Sequence, residues 1–293
     1  MQRAGAERAR VPLTRSSAAR PAGLRLTPRD DADVMGINHA TSGAAVWLAT
    51  TAALPMLGTD IYPLDPAGAL SGSLVCAGAA LLPDADHHSA TIAHSVPLLG
   101  GVVTGEIGSL SGGHRHGAHT LLAAALVTAA AVALGRILTP VPLLGTVALG
   151  PAIATVPLVC FAVKARDFVS NWATAWLLGL VAGLLVLIFS PDSTIWFPIA
   201  IGLGFVAHIA GDLLTVEGVP APTWPIQVKP PRTWRRTPIL NHLWKRNGYF
   251  SLPLLGHAGS IREHAFGVLL GLYCIYGFAE VVMRAAGLHL AIA

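Results

Sequence analysis

The sequence predicts an all-α protein: a polytopic membrane helix bundle of about seven spans, with a polar site at the cytoplasmic helix ends. Three observations predict it. The 293 residues are 53% hydrophobic but only 12% charged, against roughly a quarter charged in an ordinary soluble domain. The apolar residues gather into runs long enough to cross a bilayer. The Asp, Glu and His residues gather at the ends of those runs.

The runs lie at roughly 40–58, 66–82, 118–138, 141–163, 172–190, 195–216 and 265–287. The first two are short and rich in Ala and Gly. Pro151 and Pro157 do not remove the fourth, because spanning helices tolerate proline better than soluble ones. Residues 90–110 are apolar but broken by Pro97 and several glycines, so they read as an interfacial segment or loop.

Before these runs, residues 1–33 carry Arg3, Arg8, Arg10, Arg15, Arg20, Arg25 and Arg29 among Ala, Pro and Ser. With no long apolar run they are not a secretory signal. They read as a disordered cytoplasmic tail. Residues 34–293 read as the membrane-embedded domain, and Met35 is a candidate start. With the tail inside, all but Arg136 and Arg284 of the 19 basic residues fall on the cytoplasmic side, as the positive-inside bias expects. Residues 217–263 then form a basic cytoplasmic loop. This orientation fits a plasma (inner) membrane protein with membrane lipids as partners. No basic face with base-reading residues is evident, which excludes nucleic acid. Cys76, Cys160 and Cys274 are scattered in apolar runs without C-x-x-C spacing and read as buried hydrophobes.

The site begins at Pro83-Asp84-Ala85-Asp86-His87-His88, two carboxylates and two imidazoles closing the second run. Both types ligate divalent metals. The other islands are His39 at the start of run one, His114 and His119 before run three, His208 and Asp212 near the end of run six, and Glu263 before run seven. Five separated parts of the chain thus place their polar groups at one interface. His208 and Asp212 are four apart and share a helix face, and ionisable groups within a span are costly. Arg115 beside the histidines suits an anionic group, or pairs with Asp84, Asp86 or Asp212. His88, His116, His242, His257, His264 and His289 read as interfacial or structural.

Four stretches in order carry a resemblance: Asn38-His39-Ala-Thr-Ser-Gly43, Leu81-Leu-Pro83-Asp84-Ala-Asp86-His87, Gly113-His114-Arg115-His-Gly-Ala-His119-Thr120 and Gly204-Phe-Val-Ala-His208-Ile-Ala-Gly-Asp212-Leu-Leu-Thr215-Val-Glu-Gly218-Val-Pro220. They resemble the signature of the YdjM family, described as metal-dependent hydrolases of the bacterial inner membrane, some of them LexA-regulated. The resemblance covers roughly 36–120 and 200–267, with 140–190 as an insertion. It implies that His39, Asp84, Asp86, His87, His114, His119, His208 and Asp212 are the family's polar set, and that Glu263 is its last acidic position. Ala118 and Val216 depart from the pattern, where the family has Thr and Pro.

The function expected on these grounds is hydrolysis of a lipid or lipid-linked phosphoester at the cytoplasmic face. A divalent ion, Zn²⁺ or Mn²⁺, would be held by residues from the set His39, Asp84, Asp86, His87, His114, His208 and Asp212. Glu263 or His119 would take a proton from water, and Arg115 would hold the substrate's anion. A metal transporter or non-catalytic metal-binding membrane protein is the alternative, although transport sites tend to lie at the bilayer midplane. No G-x-S-x-G is present, and no cysteine lies beside a histidine.

Overall fold

The computed structural model describes residues 28–51, 62, 64–190, 194–222 and 224–288. Most of the arginine-rich tail and His289 lie outside the described residues. Residues 28–33, read from sequence as tail, are the start of a helix. The helices are α1 (Pro28–Thr51), α2 (Pro66–Ala79), α3 (Leu99–Ser111), α4 (Leu121–Gly135), α5 (Leu149–Ala165), α6 (Trp172–Phe189), α7 (Trp196–Leu213), α8 (Arg232–Arg236), α9 (Pro238–Leu243) and α10 (Ile261–Ala285). Among the described residues a short hairpin joins β1 (Thr139–Val141) to β2 (Gly145–Val147), and β3 (Val219–Pro220) pairs antiparallel with β4 (Tyr249–Phe250) across the loop that carries α8 and α9.

Helices stand at all seven positions marked by the apolar runs. By length and composition, four segments among the described residues can cross a membrane: Pro66–Asp86, Trp172–Phe189, Trp196–Leu213 and Ile261–Ala285. Helices α4 and α5 are apolar but shorter. Pro140 and Pro142 cannot donate within a helix, and the chain makes the β1–β2 hairpin there, so α5 begins only at Leu149. Residues 90–110 are more ordered than the sequence suggested. A 3-10 turn at Thr91–His94 is followed by α3, which starts just after Pro97 and stops at Gly112 in the left-handed region.

The lipid-like exterior is plain on α6 and α10, where Leu177, Leu180, Leu184, Val268, Leu269 and Leu272 are all exposed. A water-soluble monomer rarely shows so large an apolar surface. Inside, Trp47, Trp196 and Phe197 are fully buried around Val75 and Cys76.

Helix α2 is the axis of the bundle and packs against α1, α5 and α7. Close approach is what demands glycine. A β-carbon at Gly43 of α1, or at Gly204 of α7, would collide with the same carbonyl, that of Cys76 on α2. These two contacts fix the three helices that carry His39, the Asp84 turn and His208.

Candidate metal centre

Beyond α2 the chain tightens into a 3-10 turn at Pro83–Asp86, with proline at its first position. Proline suits that position because its missing N–H has no partner there anyway. The turn aims two carboxylates at one imidazole. Asp84 Oδ1 lies 3.4 Å from His119 Nε2, and Asp86 Oδ2 lies 3.3 Å from His119 Nδ1.

His119 ends a 3-10 turn at Gly117–His119, and Thr120 then caps α4 by accepting from the Ala123 N–H at 3.2 Å. The Thr120 hydroxyl itself donates to the Gly117 carbonyl at 2.7 Å, so it is committed to the cap. The loop before it bends sharply: Gly112, Gly113 and Arg115 all have positive φ. For a non-glycine residue such as Arg115, at φ 57°, this costs on the order of 1 kcal/mol. Three contacts hold it. The Tyr249 hydroxyl donates to the Arg115 carbonyl at 2.8 Å, and the guanidinium meets Asp212 Oδ1 at 2.9 Å and the Thr215 hydroxyl at 3.2 Å. The β3–β4 pairing brings Tyr249 to this place.

Helix α7 supplies His208 and Asp212 from one face, as their spacing predicts. The Nδ1–H of His208 donates to the Ala80 carbonyl at 2.7 Å. That leaves its Nε2 turned to the cluster, 3.2 Å from His119 Nε2, 3.6 Å from Asp84 Oδ1 and 3.5 Å from Asp212 Oδ2. Asp212 Oδ2 is also 3.3 Å from His119 Nε2. His119 and His208 have no exposed surface, and Asp212 has almost none.

These separations have a simple reading. Four atoms, His119 Nε2, His208 Nε2, Asp84 Oδ1 and Asp212 Oδ2, give five separations between 3.2 and 3.6 Å. The edge of a tetrahedron around an ion with 2.0–2.2 Å bonds is about 3.4 Å. Asp212 Oδ2, Asp86 Oδ2 and His119 Nδ1 are buried with no hydrogen bond. Buried polar atoms are normally hydrogen-bonded; Asp86 Oδ2 and His119 Nδ1 face each other behind the ring, whereas the orphaned Asp212 Oδ2 faces the four-atom grouping and fits a cation there. Among the described residues three overlapping groups can hold one: His119, His208 and Asp212; His39, Asp84 and His208; and Asp84, Asp86, His114 and His119.

The remaining sequence candidates are distributed around this centre. His39 stacks on His208 at 3.7 Å between ring centroids, with Nε2 3.6 Å from Asp212 Oδ1. His114 Nδ1 is 2.8 Å from Asp86 Oδ1, on the far side of that carboxylate from His119. His87 belongs to none of the three groups; its Nδ1 meets the Ser89 hydroxyl at 2.6 Å and its ring leans on His114. Glu263 is buried with both oxygens engaged, one by Asn38 Nδ2 at 2.9 Å and one by the Gly259 N–H at 2.7 Å. It shares a narrow cleft of about 30 Å³ with His39, Arg115 and Asp212, walled by Leu255, Phe266 and Leu270.

Several participants escaped sequence reading. The Ala80 carbonyl and Tyr249 had no motif to mark them, and Thr215 and Glu217 stood in the fourth stretch without a role assigned to them. Glu217 Oε2 lies 4.0 Å from Arg115, and its Oε1 meets His257 at 3.1 Å. Asn38, which binds Glu263, was visible only as the neighbour of His39.

Burial opposes a charge on His119, but Asp84, Asp86 and Asp212 outweigh it and raise its pKa to about 9. The metal-free cluster therefore carries a proton as well as the Arg115 charge against its carboxylates.

An apolar helical protein of membrane type, with a buried His/Asp cluster able to hold a metal ion, is what fold and site together define. A family description, YdjM inner membrane protein, matches residues 34–286, and the chain belongs to that family. No curated protein and no solved structure matches it.

Proposed function

We propose that the protein is a metal-dependent hydrolase acting on a lipid or lipid-linked phosphoester at the cytoplasmic face of the membrane. The observation that carries this reading is the near-tetrahedral grouping of His119, His208, Asp84 and Asp212 beside a cleft lined by Arg115 and Glu263.

His119, His208, Asp84 and Asp212 are the metal ligands in this reading. The separations and the two imidazoles favour Zn²⁺ over octahedral Mg²⁺, whose short bonds bring adjacent ligands to roughly 2.9 Å. An ion held there would supply Lewis acidity and, where water joins the protein atoms as a further ligand, would lower the pKa of that water toward neutrality. Asp86 and the Ala80 carbonyl orient the two imidazoles through their Nδ1 atoms, a common arrangement around metal-binding histidines. His39 stacks on His208 and limits its rotation. His114 steadies Asp86, and His87 supports His114.

Arg115 faces the cleft and orients Asp212 through Nη2, while its Nη1 meets the Thr215 hydroxyl and lies 4.0 Å from Glu217, contacts that a substrate phosphate oxygen would share or displace. Glu263 is the better proton acceptor of the two candidates, since both nitrogens of His119 face carboxylates. The apolar wall of Leu255, Phe266 and Leu270 suits the lipid portion of the substrate.

The test is elemental metal content of protein purified in mild detergent, beside Asp84→Ala and His208→Ala. One bound transition-metal equivalent, lost in both variants, supports the centre. Turnover of a phosphoester lipid by the loaded wild type, absent from folded Asp84→Ala, supports the hydrolase. Metal flux into proteoliposomes without turnover turns the reading to a transporter.

A further inference from the structure

A second cleft lies away from the metal centre. It measures about 280 Å³ and is walled by α1, α2, α5 and α10. Its volume lies at the lower end of the range of about 300–1,000 Å³ seen for ligand sites. The walls are apolar: Ala44, Leu74, Ala77, Val163, Cys274 and Phe278. The two hydroxyls among them are already spent, Ser73 on the Ala69 carbonyl at 2.7 Å and Thr41 on the Ile37 carbonyl at 2.6 Å. Gly271 adds open room, since a β-carbon there would meet nothing within 4 Å. The lips are Phe168 and Ile275, each 68% exposed, so the cleft opens sideways from the bundle.

One cation closes the end of this slot. Arg166 follows the last residue of α5, and its Nη1 donates to the Thr41 hydroxyl at 2.9 Å. Its guanidinium lies 5.4 Å from the Phe168 ring centre. Among the described residues no carboxylate forms an ion pair with it, whereas Arg115 has Asp212 at 2.9 Å. A half-buried guanidinium without an anion, set at the mouth of a long apolar slot, is complementary to an amphiphile with one anionic head. The bilayer is the source of such molecules, and the lips face it.

We propose that this cleft binds an acyl chain of an anionic glycerophospholipid from the surrounding membrane, with the lipid phosphate on Arg166. The site shares no residue with the cleft at the metal centre. Ala40 and Thr41 of α1 line this one, and His39 and Ser42 line the other. The bound lipid joins four helices and is not consumed, so the inference stands whether or not the metal centre is catalytic.

The experiment uses full-length protein, stripped of lipid in mild detergent. Dioleoyl phosphatidylglycerol, dioleoyl phosphatidylcholine or glycerophosphate is added, and adducts are counted by native mass spectrometry beside thermal melting. The expected result is one phosphatidylglycerol per chain, preferred over phosphatidylcholine by about tenfold, because the choline cation beside the phosphate opposes Arg166 and the glycerol headgroup does not. Arg166→Gln keeps a lipid adduct but loses the preference. Gly271→Leu, which fills the slot, loses the adduct while circular dichroism stays that of wild type. If Gly271→Leu does not fold, Arg166→Gln decides alone. Equal binding of both lipids by wild type, an unchanged preference in Arg166→Gln, an undiminished adduct in folded Gly271→Leu, or glycerophosphate binding as tightly as the whole lipid each overturns the proposal. Metal content measured on the same samples reads the other centre separately.

Discussion

The Nδ1–H of His208 donates to the Ala80 carbonyl at 2.7 Å, which leaves the Nε2 of that ring facing His119, Asp84 and Asp212. The acceptor is a backbone group at the end of α2, so the orientation of one candidate ligand depends on where another helix stops. His119 is oriented differently, through the Asp86 side chain. The two imidazoles therefore respond differently to substitution.

Asp86→Asn keeps the shape but weakens the hold on His119 Nδ1. Losing such an orienting group typically lowers metal affinity about 10–100-fold. The expected outcome is weaker binding at unchanged stoichiometry, read by competition with a chromophoric chelator. Asp84→Ala is expected to lose the ion outright. If Asp86→Asn is as empty as Asp84→Ala, then Asp86 is itself a ligand and the grouping of Asp84, Asp86, His114 and His119 is the true centre.

Arg115 and Asp212 form an ion pair at 2.9 Å with little exposure on either side. Removing one partner of a buried pair leaves the other charge uncompensated, at about 3–5 kcal/mol. Arg115→Gln is expected to lower thermal stability in chelator by that order. A dication beside Asp212 supplies the missing positive charge, so adding metal should recover much of the loss. A deficit that is equal with and without metal would place Asp212 outside the ion's reach.

The proton on His119 gives a pH signature. Its folded pKa, raised to about 9 from 6.5, makes it a stabilising charge in the metal-free protein. That contribution is fully present below pH 6.5 and is lost as pH rises through about 9. A metal needs the neutral ring, so binding expels this proton and strengthens with pH over the same window. Calorimetry in buffers of different ionisation enthalpy should show proton release on binding at pH 7.5, fading above pH 9. Metal affinity that is flat between pH 6.5 and 9 contradicts this role for His119.

The sequence made the candidate centre legible residue by residue because each island is short and polar against an apolar background. His208 and Asp212 needed only helix spacing, and Asp84 and Asp86 only their position after a run. Their order around the centre was not legible. Whether Asp86 touches the ion or the ring behind it depends on a 3-10 turn, and sequence spacing does not distinguish that turn from α-helix. Run boundaries failed for a related reason: the β1–β2 hairpin and α3 are decided by prolines and glycines inside apolar stretches, where hydropathy is blind. The partners of Glu263 were not legible either, because Asn38 and the Gly259 N–H are respectively far away in sequence and part of the backbone.

The last prediction concerns the glycines that set the distances. Gly204 of α7 lies against the Cys76 carbonyl and Ala79 of α2, and Gly43 of α1 meets that same carbonyl from its own side. Replacing a mid-helix glycine by alanine ordinarily helps a helix by about 1 kcal/mol. At Gly204 the added β-carbon has no room, so α7 must move away from α2, carrying His208 from the Ala80 carbonyl and from Asp84. Gly204→Ala is therefore expected to destabilise the protein despite the better propensity and to weaken metal binding, although it touches no ligand. Gly101 of α3 is the control, since a β-carbon there meets nothing within 4 Å; Gly101→Ala should leave both properties at or above wild type. Thermal melting and chelator competition on the two variants separate the effects. Equal behaviour of Gly204→Ala and Gly101→Ala would mean that the helix contact at Cys76 does not hold the centre together.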